Sequence, residues 1–139
     1  MKALSIASDY VALIGAGEKK IECRTWQTAH RGELLICSNR DRIPGTIPGH
    51  ALHIVRIVDV RPFKRADIEL ACMRPTDYAN GLWAWLLEYV CPVMPIAVRG
   101  KPGLFEVPDD QIQRIDESKL TDQEIDALIN NVFLPLTVA

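Results

Sequence analysis

AGEKKIECRTW, Ala16–Trp26, sets two glutamates, two lysines and an arginine at the entry to and within a run that reads as a strand. Strands favour β-branched and aromatic residues, so this much charge needs a reason. Side chains alternate across a strand, which puts Lys20, Glu22, Arg24 and Trp26 on one face and Ile21, Cys23 and Thr25 on the other. The second set is core-like, so the charged set faces outward or lines a cleft. Lys19 lies in the turn before the strand, free to reach over the same face. A carboxylate two residues from a guanidinium can fix its orientation and leave its remaining donors for a phosphate or a base edge. A lysine at the mouth of such a cleft could neutralise a phosphate or, if partly desolvated, act as a base or nucleophile. The plain alternative is a solvated strand face with a surface ion pair of about 0–1 kcal/mol.

Outward from that strand, Lys2–Ile6 (KALSI) reads as a first strand. Ser8 offers an N-cap for a helix over Asp9–Ala16, with Val11, Ala12 and Leu13 toward the core and Gly15 and Gly17 ending it. Lys20–Trp26 is the second strand and Glu33–Ser38 (ELLICS) the third. NRDRIPGTIPGH, residues 39–50, is a polar loop with two Pro-Gly turns. Ala51–Val60 (ALHIVRIVDV) is a long strand closed by Pro62, and Arg65–Cys72 a short helix. In Leu82–Val90 (LWAWLLEYV), Trp83, Trp85, Leu87 and Tyr89 recur at period two, which suits a strand with one aromatic face, although periodicity leaves a helix open. Met94–Val98 and Gly103–Val107 complete the strands. Thr121 and Glu124 form a capping box ahead of Ile125, Leu128, Ile129 and Val132 at helical spacing. Many short strands, two or three helices and no βαβ rhythm give an α+β chain, a small β-barrel with helices packed on its ends. Residues 1–108 form the barrel domain, and 109–139 an acidic linker and helix packed on it.

The 139 residues suit one domain, and an apolar content of 48% is enough for a packed core. No apolar run approaches the roughly 20 residues that span a bilayer. MKALSIASDY lacks the apolar centre of a signal peptide, so the expectation is a cytoplasmic protein without membrane contact. Cys23, Cys37, Cys72 and Cys91 include no C-x-x-C pair and read as reduced and mostly buried. His30, His50 and His53 form no metal-binding pattern either, so neither a metal nor a cofactor is expected. A net charge of −2 argues against holding a long duplex by charge alone. Basic residues nevertheless outnumber acidic ones between Lys19 and Lys101, whereas Glu106–Asp126 is acidic, which favours an anionic ligand on the main body. In RGKPGLFEV, Arg99–Val107, Lys101 sits between glycines, where backbone amides and a lysine can meet a phosphate, or simply form a turn. Trp26 and, less directly, Tyr10 are candidates to stack on bases. Of Trp83 and Trp85, which share a face with Leu87, at least one belongs to the core. Ser38, at the end of its strand, could line the cleft mouth.

Gly17, Lys19, Glu22 and Arg24 fit G-x-K-x-x-E-x-R, and with them the chain resembles the ASCH domain family of the PUA-like superfamily. The resemblance extends through RGELLICS, ALHIVRIVDVRPF and LWAWLLEYVCPVMPIAVRGKPGLFEV, roughly residues 1–107. It implies a PUA-like barrel with a cleft between the first helix, the signature strand and later strands, and an RNA-related role. RNA, a nucleotide or a modified nucleoside is then the expected ligand. Arg24 and Lys19 would contact phosphate or base, Glu22 would orient Arg24, and Lys101 would close the far side, with Trp26 and Tyr10 as further contacts. The alternative is a metal-independent hydrolase on the same cleft, with Lys19 and Glu22 as catalytic residues. It would be a single-strand ribonuclease or an amidohydrolase of an acetylated nucleoside. In the amidohydrolase branch the signature lysine works with a threonine three positions later, a place that Glu22 holds here. A third reading is a protein-interaction module that uses the acidic C-terminal helix.

Overall fold

Four consecutive apolar residues, Leu34, Leu35, Ile36 and Cys37, are all buried, because their strand β3 (Gly32–Ser38) is central and covered on both faces. The computed structural model describes residues 1–139. β3 pairs in parallel with β1 (Lys2–Ile6) and antiparallel with β4 (His50–Pro62). β4 pairs antiparallel with β5 (Trp83–Ala97), which carries β2 (Ile21–Arg24) on its far side. The two-residue β6 (Phe105–Glu106) edges β1.

The strand order is therefore β2-β5-β4-β3-β1-β6, an α+β fold around one open sheet rather than the closed barrel expected from the sequence. The end strands, four and two residues long, do not pair with each other. The β2 edge nonetheless returns toward β1, where the Arg24 Nη2 donates to the Ser5 carbonyl at 3.2 Å. A side chain, not a backbone ladder, spans that gap.

Leu4, Ile6, Leu34, Ile36 and Trp85 pack on one face of the sheet with Val11 and Ile14 of helix α1 (Ser8–Gly15). Ala3, Leu35, Cys37, Ile54, Phe105 and Val107 pack on the other. The inward side of α1 is Ser8, Val11 and Ile14, at a spacing of three, while Ala12 is exposed. Ser8 does not cap the helix. Its Oγ donates to the Asp41 carbonyl at 3.2 Å and accepts from Thr46 Oγ1 at 3.0 Å. Gly17, at φ +78°, supplies the left-handed turn beyond the helix.

The two strands expected over 82–98 are one strand, β5, running through Pro92 and Pro95. Its ladder to β4 slips between the Ala51–Ile96 and His53–Pro92 pairs, so Pro95 lies within the bulge, where it removes no ladder bond, and Pro92 stands at its edge. After β4, a single turn at Arg65–Asp67 leads into helix α2 (Ile68–Ala71). Asp67 is buried there, held by Arg61 through two bonds of 2.7 and 2.8 Å.

The chain beyond Pro108 is tied to the sheet. Ile115 donates its amide to the Pro92 carbonyl at 2.9 Å, and Arg114 grips the Glu33 carboxylate at 2.6 and 2.7 Å. The Thr121–Glu124 capping box forms as expected, with reciprocal bonds of 3.1 Å opening helix α3 (Asp122–Leu128). The helix widens by a turn over Ile129–Phe133 before Pro135, which has no N–H to donate and whose ring crowds the carbonyl four residues back. Val138 then exchanges backbone bonds with Gly45 and Thr46, both at 2.9 Å. All four cysteines are free, and only Cys37 is fully buried. No helix is long and apolar enough to cross a membrane.

Candidate functional site

The turn after α1 fixes the backbone on both sides of Lys19. Glu18 and Lys19 donate their amides to the Leu13 carbonyl at 3.0 and 3.1 Å, and Lys20 donates to the Leu70 carbonyl at 2.8 Å. This aims the Lys19 side chain inward, where only 4% of the residue is exposed. Its ammonium donates to the carbonyls of Ile21 at 2.8 Å and Ala71 at 2.7 Å, and lies 3.4 Å from Glu22 Oε1. The Tyr10 ring covers it at 4.6 Å from the centroid. Lys19 is thus a buried anchor rather than a free cation at the cleft mouth, because backbone carbonyls claim its hydrogens.

Glu22 is also buried, and a buried carboxylate is tolerable only when paired and hydrogen-bonded. Lys19 neutralises it from behind, the Cys23 amide donates to Oε1 at 3.2 Å, and Arg24 Nη2 stands 3.2 Å from Oε2. The same Nη2 reaches the Ser5 carbonyl, while Nη1 makes no hydrogen bond within the chain and the buried Nε has no acceptor. An unmet buried donor costs about 1–3 kcal/mol. Two cations and one anion leave this trio net positive. Glu22 and Arg24, but not Lys19, line a hollow of about 290 Å³ whose walls also include Ser5, Tyr10 and Asn39. Burial pushes the Tyr10 phenol above its ordinary value.

The other expected site residues separate. Trp26 lies outside the hollow, since β2 ends at Arg24 and the alternation stops there. Its ring packs edge-on against Trp85, centroids 4.8 Å apart at 89°, and its carbonyl accepts from Trp85 Nε1 at 3.2 Å. Lys101 is exposed on a neighbouring hollow of about 390 Å³, which Ser38 also lines. Lys20 is exposed.

None of the histidines lines the Arg24 hollow. His30 and His50 bond to the carbonyls of Glu33 and Pro48 at 2.9 and 2.7 Å. His53 pairs with the Tyr89 hydroxyl at 2.8 Å beneath α1, and burial drives its pKa down to about 4, leaving it neutral at pH 7. No three His, Cys, Asp or Glu side chains gather in one place.

Ser5 and Asn39 are the wall residues that sequence patterning misses. They come together because β1 and β3 run in parallel, with Ser5 opposite Cys37 and Ile6 opposite Ser38, a pairing that no local pattern records. A larger hollow, about 460 Å³, lies elsewhere, between β5 and the segment holding Arg114, Asp116 and Glu117. Its arginine is already doubly bonded to Glu33, and Asp116 and Glu117 stand beside it, so that hollow is less favourable to an anion.

The ASCH domain family matches residues 4–97, a span running from within β1 to the end of β5 and holding the whole Lys19–Glu22–Arg24 trio. Among solved structures, ASCH from Zymomonas mobilis is similar at 15% identity with a TM-score of 0.60, over 94% of each chain. Two variants of the Zymomonas mobilis protein, a tyrosine-to-phenylalanine and a serine-to-alanine, match at TM-scores of 0.58 and 0.57 and identities of 12% and 14%. They cover 94% of this chain and 97% and 95% of their own. At these identities the likeness is one of fold, and it reaches past the family match into the C-terminal segment. No curated protein matches the sequence. With more than half its length matched, the chain belongs to the ASCH domain family.

Proposed function

We propose that the hollow beside Arg24 binds single-stranded RNA, or a nucleotide-like part of it, through phosphate and base. The observation that carries this reading is the state of Arg24. Glu22 and the Ser5 carbonyl hold one guanidinium nitrogen, while Nη1 is left without a protein partner beside a hollow whose only carboxylate is already paired. A guanidinium fixed on one edge and open on the other suits a phosphate oxygen or a base edge. Glu22 orients Arg24, Lys19 positions Glu22, and Tyr10 offers a ring face and a hydroxyl at the wall. Lys101, beyond Ser5, supplies charge on the far side.

The hydrolase alternative asks Lys19 to act as base or nucleophile. Its ammonium hydrogens are instead engaged by two carbonyls and a carboxylate, which favours binding as the primary role. Fluorescence anisotropy with a short labelled single-stranded RNA tests the reading. Arg24→Ala is expected to weaken binding by about 10- to 100-fold, the loss of one or two charged hydrogen bonds. Affinity unchanged in that variant overturns the proposal. Mass analysis of the same mixtures, and of mixtures with acetylated nucleosides, separates the alternatives: cleaved RNA or released acetate would make the site catalytic.

A further inference from the structure

Arg40, Arg99 and Lys101 surround the hollow of about 390 Å³, and no carboxylate lies within ion-pair distance of any of them. Their side chains make no hydrogen bond within the chain either. This hollow and the Arg24 hollow share two wall residues, Ser5 and Asn39, so they are two compartments of one groove across the ends of β1 and β3. Lys20, Arg42, Lys64 and Arg65 also lack an ion-pair partner, but only here do three such cations line one hollow, in a protein whose net charge is −2. Three uncompensated cations repel one another, and a bound anion relieves that repulsion.

The loop carrying two of them is held in place. Val98 donates its amide to the Gly49 carbonyl at 3.0 Å, and Gly49 donates to the Asn39 carbonyl at 2.7 Å. Gly100 then lies against Ser5 so closely that a Cβ there would stand 2.7 Å from Ser5 Oγ and 3.0 Å from Ser5 Cβ. A Cβ there would force the Ser5 hydroxyl to turn or the loop to shift, so glycine favours this approach, which sets Arg99 and Lys101 beside the residue whose carbonyl anchors Arg24.

We infer that the Arg40–Arg99–Lys101 compartment is a second phosphate subsite. The groove therefore takes an extended single-stranded oligonucleotide, with one phosphate at Arg24 and a neighbouring one over the Arg99–Lys101 loop, rather than a lone nucleotide or nucleoside. This rests on the reading of the Arg24 hollow as a nucleotide site and adds the length of ligand that the site requires. The two compartments are not equivalent. Tyr10 stands in the first, so a base sits there, whereas the second has no aromatic wall, carries Arg40, Arg99 and Lys101, and holds backbone.

The test is a binding series at fixed low salt with a nucleoside monophosphate, a trinucleotide, a hexanucleotide and inorganic tripolyphosphate. In the wild type, affinity is expected to rise about tenfold or more from monophosphate to trinucleotide, with the tripolyphosphate weaker than the trinucleotide. Arg99→Ala/Lys101→Ala is expected to abolish most of that gain with length, and to flatten the salt slope for the hexanucleotide by about 0.7 per lost phosphate contact. Gly100→Ala, which pushes the loop off Ser5 without removing charge, is expected to reduce the same gain, and Arg99→Lys to retain it. A wild type whose affinity does not grow with length, or a double variant that keeps the full gain, overturns the second subsite while leaving the Arg24 reading intact. Tripolyphosphate binding as tightly as the trinucleotide overturns the oligonucleotide assignment. Failure of every RNA to bind overturns both.

Discussion

Glu22 sits between two cations with different tasks: Lys19 is sealed inside and cannot leave, while Arg24 keeps an open edge. Lys19→Met should therefore strip two buried carbonyls and a buried carboxylate of their partner. The expected loss is about 3–5 kcal/mol of unfolding free energy, read by urea denaturation. A loss within about 0.5 kcal/mol, the level of an ordinary surface substitution, would contradict the anchoring role. The spacing of Gly17, Lys19, Glu22 and Arg24 is legible in the sequence, and so is a strand beginning beside them. The burial of Lys19 is not, because one of its acceptors is the Ala71 carbonyl, 52 residues away, and backbone carbonyls leave no mark in a sequence. Strand alternation carried past Arg24 places Trp26 on the charged face, two residues beyond where the strand ends. The strand stops at Arg24, and the ring finds Trp85 instead.

Between elements, α1 meets β4 at one close point. A Cβ on Gly15 would lie 2.6 Å from His53 Nε2, and the His53 ring is itself held by Tyr89 at 2.8 Å. Gly15 reads in the sequence as a helix stop. Its role is contact, and Gly17 provides the stop. Glycine-to-alanine in a helix ordinarily gains up to about 1 kcal/mol. Gly15→Ala is expected to lose about 1–3 kcal/mol here, through overpacking against the ring. In a His53→Ala background the sign should reverse, and a denaturation double-mutant cycle measures both. A gain in the wild-type background would mean that the ring swings aside freely. The capping box of α3 was legible because both partners are three residues apart, whereas the continuity of β5 through Pro92 and Pro95 was not. Proline breaks a strand pattern unless a bulge lies opposite it, and that bulge belongs to the pairing with β4.

At the scale of the molecule, periodicity finds strands but not their order. Element types and the family could be read from residues 1–107, yet an open sheet with β2 at one end and β6 at the other depends on pairings that run across the chain. The groove lies where the ladder fails to close: β2 returns toward β1 without pairing, and Arg24, Ser5 and Asn39 meet in that gap. An unclosed edge is thus the source of the proposed site, whereas the larger hollow beside Arg114 lies where the C-terminal segment crosses β5. A ¹H–¹⁵N titration of the protein with a short single-stranded RNA tests this most directly. The amides of Ser5, Tyr10, Cys23 and Asn39 and the Nε–H resonance of Arg24 should shift together and saturate with one dissociation constant. Shifts confined to Tyr89–Cys91 and Arg114–Ser118, with the Arg24 resonance unmoved, would contradict it.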